Sequence, residues 1–176
     1  DAREELEEEG VPMSADVQVG MMIEVPSAAL MASSFARDVD FFSIGTNDLI
    51  QYTVAVDRSN QRVASLYTAT NPAVLRLVKA VIRAGKRRAI DTSLCGEIAG
   101  DITYTMLLIG LGLRTLSLVP AQIPRVKQVI RRVDVKQCER LARKVGSFDS
   151  ERRTLKCLQD ELKNVLPELE GGWTTP

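Results

Sequence analysis

Four times between Val17 and Val133, a short apolar run stops in a polar or glycine-containing tip and gives way to a stretch with helical periodicity. The runs are Val17–Ile23 before Glu24, Phe41–Gly45 before Thr46, Asn47 and Asp48, Ala89–Leu94 before Cys95, Gly96 and Glu97, and Thr115–Val119 before Pro120. Strands separated by a helical stretch cannot be joined as hairpins, whereas parallel strands need a crossover of about a dozen residues or more. The pattern therefore predicts an α/β chain with four parallel strands and helical crossovers. Such a sheet brings the C-terminal tips of its strands to one edge, where barrels and open sheets both bind ligands.

The helices have their own punctuation. Ser27 is expected to cap an Ala-rich helix, and Asn47 or Asp48 to cap one starting near Leu49. Asn71–Pro72 opens a helix that carries Val74, Leu77, Val78 and Val81 on one face and ends at Gly85, with Lys86, Arg87 and Arg88 at its C-terminal dipole. Asp101 is expected to cap a helix reaching Gly110, and Arg125 to Val133 to form another. Residues 1–15 read as the end of an acidic helix, stopped at Gly10, and a linker; 16–133 form the strand and helix unit; 134–176 form a helical extension, broken at Gly146–Ser147, and a tail bearing Trp173. The acidic start reads as an element entered midway, with more chain before it.

Composition narrows the function. Lysine plus arginine equals aspartate plus glutamate, 23 each, so no overall field favours nucleic acid or another polyanion. No long uncharged apolar stretch is present, and DAREELEEEG is the reverse of a signal peptide, which reads as a cytoplasmic chain without membrane insertion. Three widely spaced cysteines and no histidine argue against a disulfide framework, a structural zinc or a histidine-activated nucleophile. Cys138 and Cys157 fall on apolar helix faces and read as packing.

Each tip carries two readings. Glu24 and Asp48 are either two solvated loop acids or the carboxylates of a magnesium site, completed by water and a substrate phosphate. Asn47 and Asp48 are helix caps or ligands. Cys95 is a packed thiol, or an acid or nucleophile exposed at the sheet edge. Arg58 pairs with Asp57 at the surface, or grips a phosphate or carboxylate with its fork.

Taken together, GMMIEVPSAA (Gly20 to Ala29), DFFSIGTNDLIQYTVAVDRSN (Asp40 to Asn60), SLCGEIAGD (Ser93 to Asp101) and Ile123–Pro124–Arg125–Val126–Lys127 resemble the C-terminal domain of the phosphoenolpyruvate-utilising enzymes. The loop Ala55 to Asn60 with Leu66–Tyr67 is most similar to enzyme I of the sugar phosphotransferase system or its nitrogen-related paralogue, and less so to pyruvate phosphate dikinase or phosphoenolpyruvate synthase. The resemblance implies Glu24 and Asp48 as magnesium ligands, Asn47 and Arg58 on the phosphate of phosphoenolpyruvate, and Cys95 as the acid that protonates the enolate to pyruvate. It implies a histidine on a separate domain as acceptor and a phosphocarrier protein beyond it.

The family's catalytic domain is an eight-stranded barrel, and only its last four strands are recognisable here. The expected architecture is thus the C-terminal half of a (β/α)8 barrel plus C-terminal helices. The expected behaviour is a fragment, inactive alone, of a phosphotransferase; a fragment of the dikinase or synthase, or a non-catalytic oligomerisation or regulatory module, are the alternatives. A half barrel exposes two sheet edges and an apolar inner face, which predicts a homodimer.

Overall fold

A computed structural model of the chain describes residues 2–14 and 16–168; Trp173 and the tail lie outside the described residues. Helix α1 (Ala2–Glu8) buries no side chain and ends at Gly10, whose φ is 68°. The strands are β1 (Gly20–Ile23), β2 (Phe41–Gly45), β3 (Asp91–Cys95) and β4 (Thr115–Ser117). They form one parallel sheet in the order β1-β2-β3-β4, as expected from the repeated unit.

Helices α2 (Pro26–Phe35), α4 (Pro72–Arg88) and α6 (Ile102–Leu111) lie in the crossovers, with the shorter α3 (Thr46–Val54) and α5 (Glu97–Gly100) springing from the strand tips. After β4 come α7 (Ile123–Ile130), α8 (Val135–Gly146) and α9 (Glu151–Val165), and the last two pack against α6. Register alternation gives the sheet two unlike faces. Ile23, Ile44 and Leu94 form one row across three strands, all fully buried, and share the core with Phe42, Val74, Val78 and Leu107. The opposite face carries Met22, Ser43, Ser93 and Cys95, none of them buried. An α/β unit of four adjacent parallel strands, helix-covered on one face, is consistent with the second half of a (β/α)8 barrel, and its opposite face is the one a barrel encloses.

Several expected boundaries shift, each for a local reason. Pairing in β1 begins at Gly20 rather than Val17, because the Val19 amide donates to the Asp40 carboxylate (2.7 Å) and Val17 remains 67% exposed. Helix α2 starts at Pro26 with Val25 in extended conformation, so Ser27 lies inside the first turn instead of capping it. Helix α3 starts at Thr46 directly from the strand; Asn47 and Asp48 are its second and third residues, and neither caps it. Helix α4 continues through Gly85 to Arg88 and stops at Ala89, which takes φ 55°; this moves the start of β3 from Ala89 to Asp91. A side chain at Gly85 would meet the Thr92 hydroxyl at 2.2 Å, so the glycine serves helix-to-strand contact and not termination. Strand β4 closes at Ser117, and α7 at Ile130 instead of Val133. The caps at Asn71 and Asp101 are present, accepting from Ala73 N–H and Thr103 N–H at 2.9 Å each.

Candidate functional site

The tips of β1, β2 and β3 meet in one row. Ile23 is level with Ile44, so Glu24, the next residue, comes level with Gly45, and Gly45 is level with Cys95. Strands lie about 4.8 Å apart, so Glu24 and Cys95 are separated by about 10 Å with only a glycine between them. The Glu24 side chain uses that gap. A Cβ on Gly45 would stand 2.9 Å from both Cβ and Oε2 of Glu24, and 3.1 Å from the Met22 sulfur. Gly45 itself has an ordinary φ of −83°, so what it provides is space, not an unusual backbone conformation.

The next layer is the first turn of α3. Thr46 is fully buried and its hydroxyl donates to the Cys95 carbonyl at 2.7 Å, tying the helix start to β3. Asn47 accepts twice: Oδ1 takes the Glu97 N–H at 3.1 Å, and its backbone oxygen takes the Tyr67 hydroxyl at 3.0 Å. With Oδ1 turned to Glu97, the side-chain NH2 is the group left to donate to an anion. Gly96 makes the approach possible, with φ 104° and ψ −178° and no room for a Cβ beside Thr46 Oγ1.

Asp48 and Glu24 are both half-buried, and neither makes a hydrogen bond or ion pair among the described residues. Partly desolvated, unpaired carboxylates at one edge suit a hard cation. Among the described residues no cluster of three or more histidine, cysteine or acidic ligands occurs; a magnesium ion, which takes one or two carboxylates and keeps water or phosphate, would not need one.

The Cys95 thiol is half-buried on the open face, 3.5 Å from the Ile44 carbonyl oxygen, to which it donates, and 3.9 Å from the Ser43 hydroxyl. Cys138 and Cys157 are buried, as their helix positions predicted. Arg58 is exposed in the loop after α3, its N–H bonded to Gln51 Oε1 at 3.3 Å. The anticipated alternative, an ion pair with Asp57, is not formed among the described residues. Asp57 instead accepts from the Ser59 hydroxyl and N–H at 2.6 and 2.9 Å, and these bonds hold its carboxyl below the usual range.

Thr46 stands with Asn47 and Asp48 in the polar tip marked by sequence, whereas Tyr67 and Glu97 fall in segments that carry the resemblance without a role assigned to either. Tyr67 is an isolated aromatic in an irregular loop, and Glu97 looked like one more acid at a helix start; only their convergence on Asn47 gives them meaning. Burial pushes the Tyr67 hydroxyl above its ordinary pKa, and the charge of Glu97 adds to this, while the positive charge of Arg58 opposes it. Asn47, Tyr67, Glu97, Asp101 and Tyr104 line a cavity of about 240 Å³ beside this cluster. A separate apolar groove of about 550 Å³, walled by Ile109, Leu116, Ile123, Val126 and Ile130, runs along the β4 edge.

Comparison of the sequence with known proteins identifies a family. The family described as "PEP-utilising enzyme, PEP-binding domain" matches residues 1–135. The chain is 47% identical over 154 residues to the phosphoenolpyruvate-protein phosphotransferase of Borreliella burgdorferi, which covers 88% of this chain and 27% of that protein. It is 48% identical over 142 residues to the same enzyme of Enterococcus faecalis (81% and 25% covered), and 42% identical over 163 residues to that of Staphylococcus carnosus (93% and 28%). The chain thus spans about a quarter of the length of the curated relatives it matches. With more than three quarters of its residues matched, the chain belongs to the phosphoenolpyruvate-binding domain family of the phosphoenolpyruvate-utilising enzymes.

Proposed function

We propose that this chain supplies the metal and phosphate wall of a phosphoenolpyruvate site, and that it works within a longer polypeptide that transfers the phosphoryl group to a protein histidine and releases pyruvate. The row Glu24–Gly45–Cys95 carries this reading: an acid and a thiol stand on either side of a gap left by a glycine, with the amide of Asn47 in the helix turn that follows.

Glu24 and Asp48 would hold a magnesium ion, which when bound offsets the negative charge of the transferring phosphoryl group. The Asn47 NH2 and the Arg58 guanidinium bind and orient the phosphate, in keeping with their freedom from competing acceptors. Cys95 holds a proton on the face of the sheet that the substrate would occupy. When the phosphoryl group leaves, the enolate takes that proton at carbon and becomes pyruvate. The chain contains no histidine, so the acceptor must come from another domain or chain, and a phosphocarrier protein fits as the next recipient.

Among the described residues no helix is long and apolar enough to cross a membrane. Among the exposed large apolar side chains, Val17, Val19 and Met22 lie in or just before β1, and Val119 and Ile123 just after β4. Expressed alone, the chain would cover these edges by pairing with a second copy, β4 of each against β1 of the other. Sedimentation showing a folded monomer at micromolar concentration would overturn that pairing.

Titration calorimetry tests the site. Phosphoenolpyruvate should bind only with magnesium present, and Asp48→Ala should abolish binding without altering the circular dichroism. Absence of binding in a folded longer polypeptide carrying this chain would sink the enzymatic reading in favour of a module without catalysis.

A further inference from the structure

The cavity of about 240 Å³ beside Asn47 carries negative charge on its wall and nothing to balance it. Among its lining residues Glu97 and Asp101 are acidic and none is basic. Neither carboxylate forms an ion pair among the described residues, and Asp101 commits only Oδ1, to the Thr103 N–H. Arg58, whose charge is felt at Tyr67, stands outside the lining. Much of the remaining wall is apolar, since Ile50, Ala69 and Ile98 line the same space and are all buried.

Tyr104 adds a second, independent polar feature. It is only 8% exposed, it lines the cavity, and its hydroxyl has no hydrogen-bond partner among the described residues. The side-chain polar atoms sealed in the interior without a partner are the hydroxyls of Thr92, Thr105 and Thr154. That of Tyr104 is not one of them, so it keeps an opening, and the cavity is the space it lines. Buried tyrosines usually find a partner for the hydroxyl, and one left without forgoes a bond that water would supply. The other polar groups of the wall are mostly engaged: Asn47 Oδ1 takes the Glu97 N–H, the Tyr67 hydroxyl donates to the Asn47 backbone oxygen, and the Thr68 hydroxyl is shared with Thr70. What remains free is two carboxylates, the Tyr104 hydroxyl and the Asn47 NH2.

A guest that complements this wall brings positive charge and several N–H donors at one end and carbon at the other. An anion would meet two carboxylates, and a bare metal ion would leave the apolar wall uncovered. A primary ammonium has three donors and no acceptor. The cavity is smaller than those that take drug-sized molecules, and suits a short carbon chain. We propose that it is a binding site for a small organic ammonium ion, the N–H groups held by Glu97, Asp101 and the Tyr104 hydroxyl and the carbon chain laid against Ile50 and Ile98. The site is distinct from the row Glu24–Gly45–Cys95 and shares with the phosphate wall only Asn47, so it stands whether or not the phosphoenolpyruvate reading does.

The test is a titration of the 176-residue chain with n-butylammonium chloride at low ionic strength, followed by NMR. Signals of Ile98 and Tyr104 should shift and saturate in the millimolar range, and added sodium chloride should weaken the binding. n-Butanol, with the same carbon chain and no charge, and sodium butyrate, with the opposite charge, should give no saturable shift over the same range. Glu97→Gln and Asp101→Asn, the latter keeping a side chain that can cap α6, should each weaken n-butylammonium about threefold to tenfold. Tyr104→Phe should weaken it about threefold while leaving urea unfolding at neutral pH unchanged, because the hydroxyl has no partner in the chain to lose. No saturable shift in the parent chain, n-butanol binding as tightly as n-butylammonium, or full affinity retained in both carboxylate variants overturns the proposal. A Tyr104→Phe variant that loses stability and keeps its affinity removes the tyrosine from the site and overturns it as well.

Discussion

A methyl group on Gly45 would lie 2.9 Å from the Oε2 oxygen of Glu24, so the acid rests across the one position in its row that has no side chain. Gly45→Ala is therefore expected to displace the Glu24 carboxylate while leaving the strands paired. Calorimetry should show magnesium-dependent phosphoenolpyruvate binding reduced tenfold or more, and urea unfolding a loss of about 1–3 kcal/mol from overpacking. Unchanged binding would mean that Glu24 does not act from this position.

Gly96 faces a harder constraint. At φ 104° and ψ −178° a Cβ is strained before any contact is counted, and the same Cβ would come within 2.3 Å of Thr46 Oγ1 and 2.8 Å of Asn47 Oδ1. Gly96→Ala should cost about 3 kcal/mol or more in chemical denaturation. It should also separate the Asn47 side chain from the Glu97 N–H, visible as faster hydrogen exchange at Glu97.

On the proposed reading, Cys95→Ala removes a proton donor but neither a phosphate ligand nor a metal ligand. In the longer polypeptide, phosphoenolpyruvate binding should stay within about twofold, while exchange of pyruvate methyl protons with deuterated solvent falls by about a hundredfold or more, the usual range for losing a general acid or base. Retained exchange would reassign the proton to another group.

Tyr104 supplies a pH dependence independent of catalysis. Burial, with a smaller contribution from the charge of Asp101, pushes its pKa from 10.0 up to about 12. The folded state keeps the proton over a range where the unfolded chain releases it. This contribution is whole below pH 10 and is lost as pH rises toward 12. Thermal melts of the parent should decline through that window, and Tyr104→Phe should flatten the decline.

The architecture was legible because parallel strands repeat a simple rule, an apolar run with a tip followed by a helix, and Phe41 to Asp48 states that rule almost without interruption. Boundaries were less so. Whether Gly85 ends a helix or lets it approach Thr92, and whether Asp40 or a strand partner receives the Val19 amide, depends on neighbours distant in sequence. The proposed site residues Glu24, Asn47, Asp48 and Cys95 were marked by position at strand tips, and these four and Arg58 by family motifs. Tyr67 and Glu97 lie in the same motifs, but their meeting at Asn47 could not be read from them, because a hydroxyl on a backbone oxygen twenty residues away leaves no periodicity in the chain.

The order of strands has a kinetic consequence. Partners in β1 and β2 are 21 residues apart and those in β3 and β4 are 22 apart, but β2 and β3 are joined across 50 residues. Closing the longer loop carries the larger entropic cost, by a little over half a kcal/mol for each doubling of length, and contacts of long range form slowly. The two outer pairs can assemble as independent local units, whereas every bond linking Ser43, Thr46 and Asn47 to Cys95 and Glu97 belongs to the central closure. Binding competence should therefore arrive with the last cooperative step of refolding, and pulse-labelled amides of Gly45 and Glu97 should gain protection together, after those of β1.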